Sequence, residues 1–125
     1  MSATVRILSK FLVKRTGYHF PVGNSTYAHW CPGCASMHDF AVEQPFRNGA
    51  KWTFDGNVEK PTFGPSMNIH IGPDEEGKTD VCHYFLKDGK VQFLGDCTHA
   101  LKNQTVDLPE VPAEALKWAT IVREE

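Results

Sequence analysis

The chain has 125 residues, of which 41% are apolar and 22% charged, and a net charge of −2. That length suffices to bury one core, so a single domain over residues 1–125 is expected. The weak negative balance counts against a general binder of nucleic-acid backbones, which is usually strongly basic. No stretch approaches the roughly 18 apolar residues of a membrane helix. The opening "MSATVRILSKFLVKRTG" is interrupted by Lys10 and lacks the small-residue cleavage site of a signal peptide. A cytoplasmic protein is therefore expected, with reduced thiols, and its four cysteines point to metal before disulfides. Arg6, Lys10, Lys14 and Arg15 precede the first acid, Asp39, and read as a solvated face.

In chain order, "VRILSKFLV" fits either a short helix or a strand. "YHF" reads as a strand before the turn-like "PVGNS". "TYAHW" leads into "CPGC" at 31–34, and "MHDFAVE" alternates as another short strand. "AKWTF" runs into a turn at Asp55-Gly56, and "TFGPSMNIHIG" is a strand interrupted near Pro65. The polar "GPDEEGK" is expected to be an exposed, mobile loop. "VCHYFL" and "VQFL" flank Asp88-Gly89, which predicts a hairpin with a two-residue turn. "NQTVDLPEVP" reads as extended. Pro112 suits the first position of a helix through "PAEALKWATIVREE". The expected fold is therefore α+β, mainly antiparallel β, zinc-stabilised and closed by a C-terminal helix.

The Asp88-Gly89 turn fixes the hairpin register, with Lys87 opposite Lys90 and Tyr84 opposite Phe93. Opposed residues share a face and neighbours alternate. Cys82 and Cys97 then fall on one face, and His83 and Asp96 on the other. Two ligands of one zinc ion lie almost 4 Å apart at bond lengths of ~2.3 Å, a separation that the diagonal thiols can meet. With Cys31 and Cys34 of the Pro-Gly knuckle they would complete a structural four-cysteine Zn2+ site. His38 or His99 is an alternative fourth ligand, and Cys82 and Cys97 are alternatively plain buried hydrophobes. A redox Cys-x-x-Cys fits less well, because the flanks lack the usual βαβ context.

On the opposite face, Asp96 can orient His83. In "PSMNIHI" the side chains of Ser66, Asn68 and His70 share one face of a strand. A strand placed beside the hairpin would bring Ser66 or His70 toward His83. The resulting catalytic set, Ser66, His83 and Asp96, suits acyl transfer, with Asn68 or main-chain N–H groups as oxyanion donors. No G-x-S-x-G motif supports it. Taken singly, each member has a plainer role: Ser66 as a turn residue, His83 as a structural histidine, Asp96 as an Asx-turn. His70, His83, His99 and Asp96 could instead hold a catalytic zinc, making a metal-dependent hydrolase.

The ordered segments "HWCPGC", "MHDF", "NGAKWTFDGN", "KPTFGPSMNI", "CHYFLKDGKVQFLGDCTH" and "LKNQTVDLP", over residues 29–109, resemble a small protein family common in tailed-phage genomes. Members are sometimes mislabelled ammonia monooxygenase. Distant relatives are peptidases of bacterial ubiquitin-like conjugation operons. The resemblance places the cysteine knuckle on Cys31 and Cys34, the Pro-Ser step on Pro65-Ser66 and the histidine on His83. Cys82 stands where those relatives carry serine, and their fuller knuckle is trimmed here to two cysteines. It implies a small zinc-binding serine-type peptidase or isopeptidase of phage origin, acting on a protein or ubiquitin-like conjugate in the host cytoplasm. The rival expectation is a non-catalytic zinc-binding module that docks a host or phage protein through Trp30, Trp52 or Phe63. Nucleic-acid binding ranks third, and no membrane role is expected.

Overall fold

Short runs rich in β-branched and aromatic residues, many of them bounded by glycine or proline, favour strands along most of the chain. The computed structural model describes residues 4–17, 24–117 and 120–122. Among these residues, ten strands form two five-stranded sheets. The first, in order β10-β1-β2-β3-β4, contains β1 (Thr4–Ile7), β2 (Val13–Thr16), β3 (Ser25–Cys31), β4 (Ser36–Ala41) and β10 (Thr120–Val122). The second, β5-β6-β7-β8-β9, contains β5 (Thr53–Phe54), β6 (Phe63–Ile71), β7 (Asp80–Lys87), β8 (Lys90–Phe93) and β9 (Thr105–Asp107). All pairings are antiparallel except β1 with β10.

The expected α+β fold with a C-terminal helix is corrected to an all-β one. Among the described residues the only helical element is a 3-10 turn at Ala113–Leu116. Pro112 precedes it without a side-chain cap, and the β-branched Thr120, Ile121 and Val122 then pair in parallel with β1. A few helix-favouring residues cannot nucleate a lasting helix, whereas a strand closes an edge of the sheet. "VRILSKFLV" resolves into β1 and β2 around a tight turn. There the Leu8 and Ser9 N–H groups donate to the Leu12 carbonyl at 3.0 and 3.1 Å, and the Ser9 hydroxyl reaches the Val58 carbonyl at 2.7 Å. The expected strand "YHF" lies outside the described residues. Gly72–Lys78 is exposed throughout, as "GPDEEGK" suggested.

The sheets face each other across one apolar layer. Phe40 of β4 stacks on Phe63 of β6 with ring centroids 4.2 Å apart, and Tyr84, Leu86 and Phe93 fill the layer from β7 and β8. The outer face of the first sheet is also covered: Val5, Val13 and Ala28 pack with Leu116 of the 3-10 turn. On that sheet Arg15 donates to both carboxylate oxygens of buried Asp39, which also accepts the Thr26 hydroxyl at 2.6 Å. Truncating one member of such a pair leaves an uncompensated charge. Arg15→Ala is therefore expected to cost about 3 kcal/mol, read as a lower urea midpoint with an unchanged slope.

Candidate active site and metal centre

The hairpin at the heart of the second sheet has the expected register: Lys87 opposite Lys90, Leu86 opposite Val91, Tyr84 opposite Phe93. Asp88 and Gly89 take φ values of +50° and +72°, as a type I′ turn requires. The ladder stops at Tyr84 and Phe93. Leu94 still donates its N–H to the His83 carbonyl at 2.9 Å, after which a turn closes with the Cys97 N–H on the Leu94 carbonyl at 3.3 Å. The Cys97 thiol then takes the place of a ladder partner. It accepts the His83 N–H at 3.3 Å and donates to the His83 carbonyl at 3.2 Å. That contact anchors Asp96 beside His83.

On the other side of β7, β6 pairs Met67 with Tyr84 and Asn68 with His83, but Phe63 with Leu86. Four steps along β6 thus oppose two along β7, and the surplus residues form a bulge holding Gly64, the cis-linked Pro65, and Ser66. Bulges re-aim side chains, and this one turns Ser66 onto the imidazole. Ser66 Oγ lies 3.1 Å from His83 Nε2, and His83 Nδ1 lies 3.0 Å from Asp96 Oδ2 and 3.2 Å from Oδ1. The carboxylate therefore receives the Nδ1 proton, leaving Nε2 to accept from the serine hydroxyl. His83 is 22% exposed and Asp96 53%, so the group is open to solvent. The Trp52 indole donates to the Ser66 carbonyl at 3.1 Å and fixes the backbone behind the hydroxyl. Asn68 Oδ1 accepts from His70 Nε2 at 3.0 Å.

On the inner face the knuckle lies over β7. The ligand atoms of Cys31, Cys34, His38 and Cys82 all lie within 4.8 Å of one another, with Cys31 and Cys82 sulfurs 3.8 Å apart. These four could hold a metal ion. His38, weighed above only as a substitute, joins the set, while Cys97 stands outside it because the turn at 94–97 commits its thiol to the backbone of His83. His99 also stands outside it. Its Nδ1 accepts the Leu101 N–H at 3.2 Å, so Nε2–H donates to the Cys82 sulfur at 3.4 Å. Its ring fills the space that a Cβ at Gly33 would need, which explains the glycine in the knuckle. The imidazoles of His83 and His99 thus serve opposite faces of β7, and His70, His83, His99 and Asp96 are not gathered into one cluster.

Three thiols at this spacing cannot all ionise unaided. Cys82, holding its proton toward Cys31, draws the Cys31 thiol down to about 3, against burial and with help from His38. The same hydrogen bond, followed by burial, pushes Cys82 far up, and burial pushes Cys34 up to about 11. A divalent cation would replace those shared protons and remove the conflict. Behind the cluster, His38 Nδ1 lies 3.0 Å from the Tyr84 hydroxyl, which lies 2.6 Å from His29 Nε2. Burial pushes the Tyr84 phenol up and the His29 imidazole down to about 4, so both are neutral. The one phenol proton can go to only one of the two imidazoles; donation to His29, with acceptance from His38 Nδ1–H, is the arrangement that would leave His38 Nε2 for the sulfurs. Sequence reasoning missed His29 and Tyr84. The opposition of His29 and His38 across the β3–β4 hairpin was the available signal.

Fold and site together describe a β-sandwich with a hydroxyl–imidazole–carboxylate relay on one face of its second sheet and a thiol–imidazole cluster on the other. The family of the bacterial ubiquitination-like system serine protease, BubE, matches residues 7–94, and the chain belongs to that family. This supports a peptidase-like function and the distant relation to peptidases of ubiquitin-like operons. The match takes in Ser66, His83 and the four clustered ligands, and ends before Asp96. No curated protein and no solved structure matches the chain significantly. No helix among the described residues is long and apolar enough to cross a membrane.

Proposed function

We propose that this protein is a serine-type peptidase that cuts a peptide or isopeptide bond in a protein or ubiquitin-like conjugate, on a scaffold clamped by structural zinc. The observation that carries the reading is the Ser66–His83–Asp96 relay in a chain of the BubE family. Ser66 Oγ attacks the scissile carbonyl as its proton passes to His83 Nε2. Asp96 supports the imidazolium through Nδ1–H. The tetrahedral intermediate collapses, His83 gives the proton to the departing amine, and an acyl ester remains on Ser66. Water, deprotonated by His83, then releases the acid. With Oδ1 engaged by His70, the Asn68 side chain retains its N–H groups as oxyanion donors.

Cys31, Cys34, Cys82 and His38 Nε2 form the donor set of a closed tetrahedral zinc site, which leaves no position for a reactive water. Bound zinc would supply folding energy by tying the β3–β4 turn to β7. His38→Ala is expected to lose the metal and Cys97→Ala to keep about one zinc per chain, measured by plasma mass spectrometry of purified protein. Loss in both would return Cys97 to the ligand set.

Acylation is tested with p-nitrophenyl acetate, for which an acyl-enzyme predicts a burst of about one equivalent of p-nitrophenol before slower turnover. A folded, zinc-loaded protein without any Ser66-dependent release would overturn the enzymatic reading in favour of a binding module.

A further inference from the structure

Resting on that reading of Ser66, we propose that the open edge of β6 beyond Ser66 is the substrate-binding site, and that it takes the acyl side of the scissile bond as an added β-strand.

The direction of the main-chain groups follows from β7. His83 and Val81 turn their N–H and C=O groups toward the segment after β8: Leu94 N–H and Cys97 Sγ meet His83, while Thr98 N–H and Oγ1 meet Val81. Tyr84, Cys82 and Asp80 must then direct theirs at β6, where they oppose Met67, Ile69 and Ile71. Asn68 and His70, opposite His83 and Val81, turn their N–H and C=O groups away from the sheet. The Ser66 carbonyl points to that same side, where Trp52 takes it. β5 covers only Phe63 and Gly64, and no described residue takes up the outward groups of Asn68 or His70. Both residues are exposed.

Unpaired ladder groups are a template for another extended chain. Here they begin two residues after the nucleophile, so a strand paired with Asn68 and His70 runs past Ser66 Oγ. Its side chains alternate between the two faces of the sheet. One set lies on the face of Asn68 and His70, the other beside half-buried Ile69 and 62% exposed Ile71. That second face favours apolar substrate side chains. In an isopeptide bond the leaving group is a lysine amine, so the acyl side is the one that offers a regular extended main chain. Hence the edge serves that side.

The test compares two covalent adducts of the wild-type chain. One carries a small alkyl fluorophosphonate on Ser66, the other the phosphonyl group of acetyl-tetra-alanyl diphenyl phosphonate. Residue-resolved hydrogen exchange should show the Asn68 and His70 amides slowed at least tenfold in the peptidyl adduct and unslowed in the alkyl adduct. N-methylation of a probe amide that faces the edge should slow phosphonylation about tenfold, and methylation of its neighbours should not. Equal exchange in the two adducts overturns the edge assignment while leaving Ser66 as nucleophile. Failure of both reagents to modify Ser66 overturns the nucleophile, and the edge assignment with it.

Discussion

Ser66→Ala is expected to lower ester and peptide-bond hydrolysis by about 10⁵-fold, with kcat taking the loss and KM little changed, because nucleophile and base act as a unit. His83→Ala should fall to about the same level, and the double variant should be no worse than either. Asp96→Asn should cost less. A buried orienting carboxylate is worth about 10⁴-fold, but Asp96 is 53% exposed and partly screened, so about 10² is expected. Steady-state kinetics on the three variants, with zinc content held equal, checks this order. Equal activity in wild type and Ser66→Ala would remove the serine from the chemistry.

Cys82→Ser is expected to act on the fold. Cys82 is buried on β7, its sulfur 3.8 Å from that of Cys31, and it belongs to the ligand cluster joining the two sheets. Structural zinc contributes free energy comparable to the whole stability of a small domain. Loss of this ligand should cost at least about 5 kcal/mol, roughly 20 °C in Tm for a chain of this size. A strong chelator should lower the wild-type Tm by a similar amount, while Ser66→Ala should leave it within about 2 °C. Scanning calorimetry with and without added zinc measures all three. A Cys82→Ser chain that melts with the wild type would rule out a metal clamp.

What the sequence made legible was local. Asp88-Gly89 set the hairpin register, and alternation from it put His83 on one face of β7 and Cys82 on the other, as found. Ser66 was placed on the correct side of β6, although the reason is a bulge that simple alternation does not contain. Cys97 lies outside the cluster because the ladder gives way to a turn after Leu94, which no period-two pattern records. His38 entered the ligand cluster through a β3–β4 register that carried no Asp-Gly marker. The C-terminal helix failed for another reason. "PAEALKW" has fair helix propensity, but strand pairing with β1 depends on contacts more than a hundred residues away, and tertiary context overrides so weak a prior.

The central claim is that Ser66 is a nucleophile activated by His83. The most direct measurement is intact-protein and peptide mass spectrometry after reaction of the native, zinc-loaded chain with an alkyl fluorophosphonate. One adduct per chain is expected, mapped to Ser66, absent in His83→Ala and still formed in Cys97→Ser. A folded wild-type protein that shows no adduct, or carries it on a residue other than Ser66, would contradict the account.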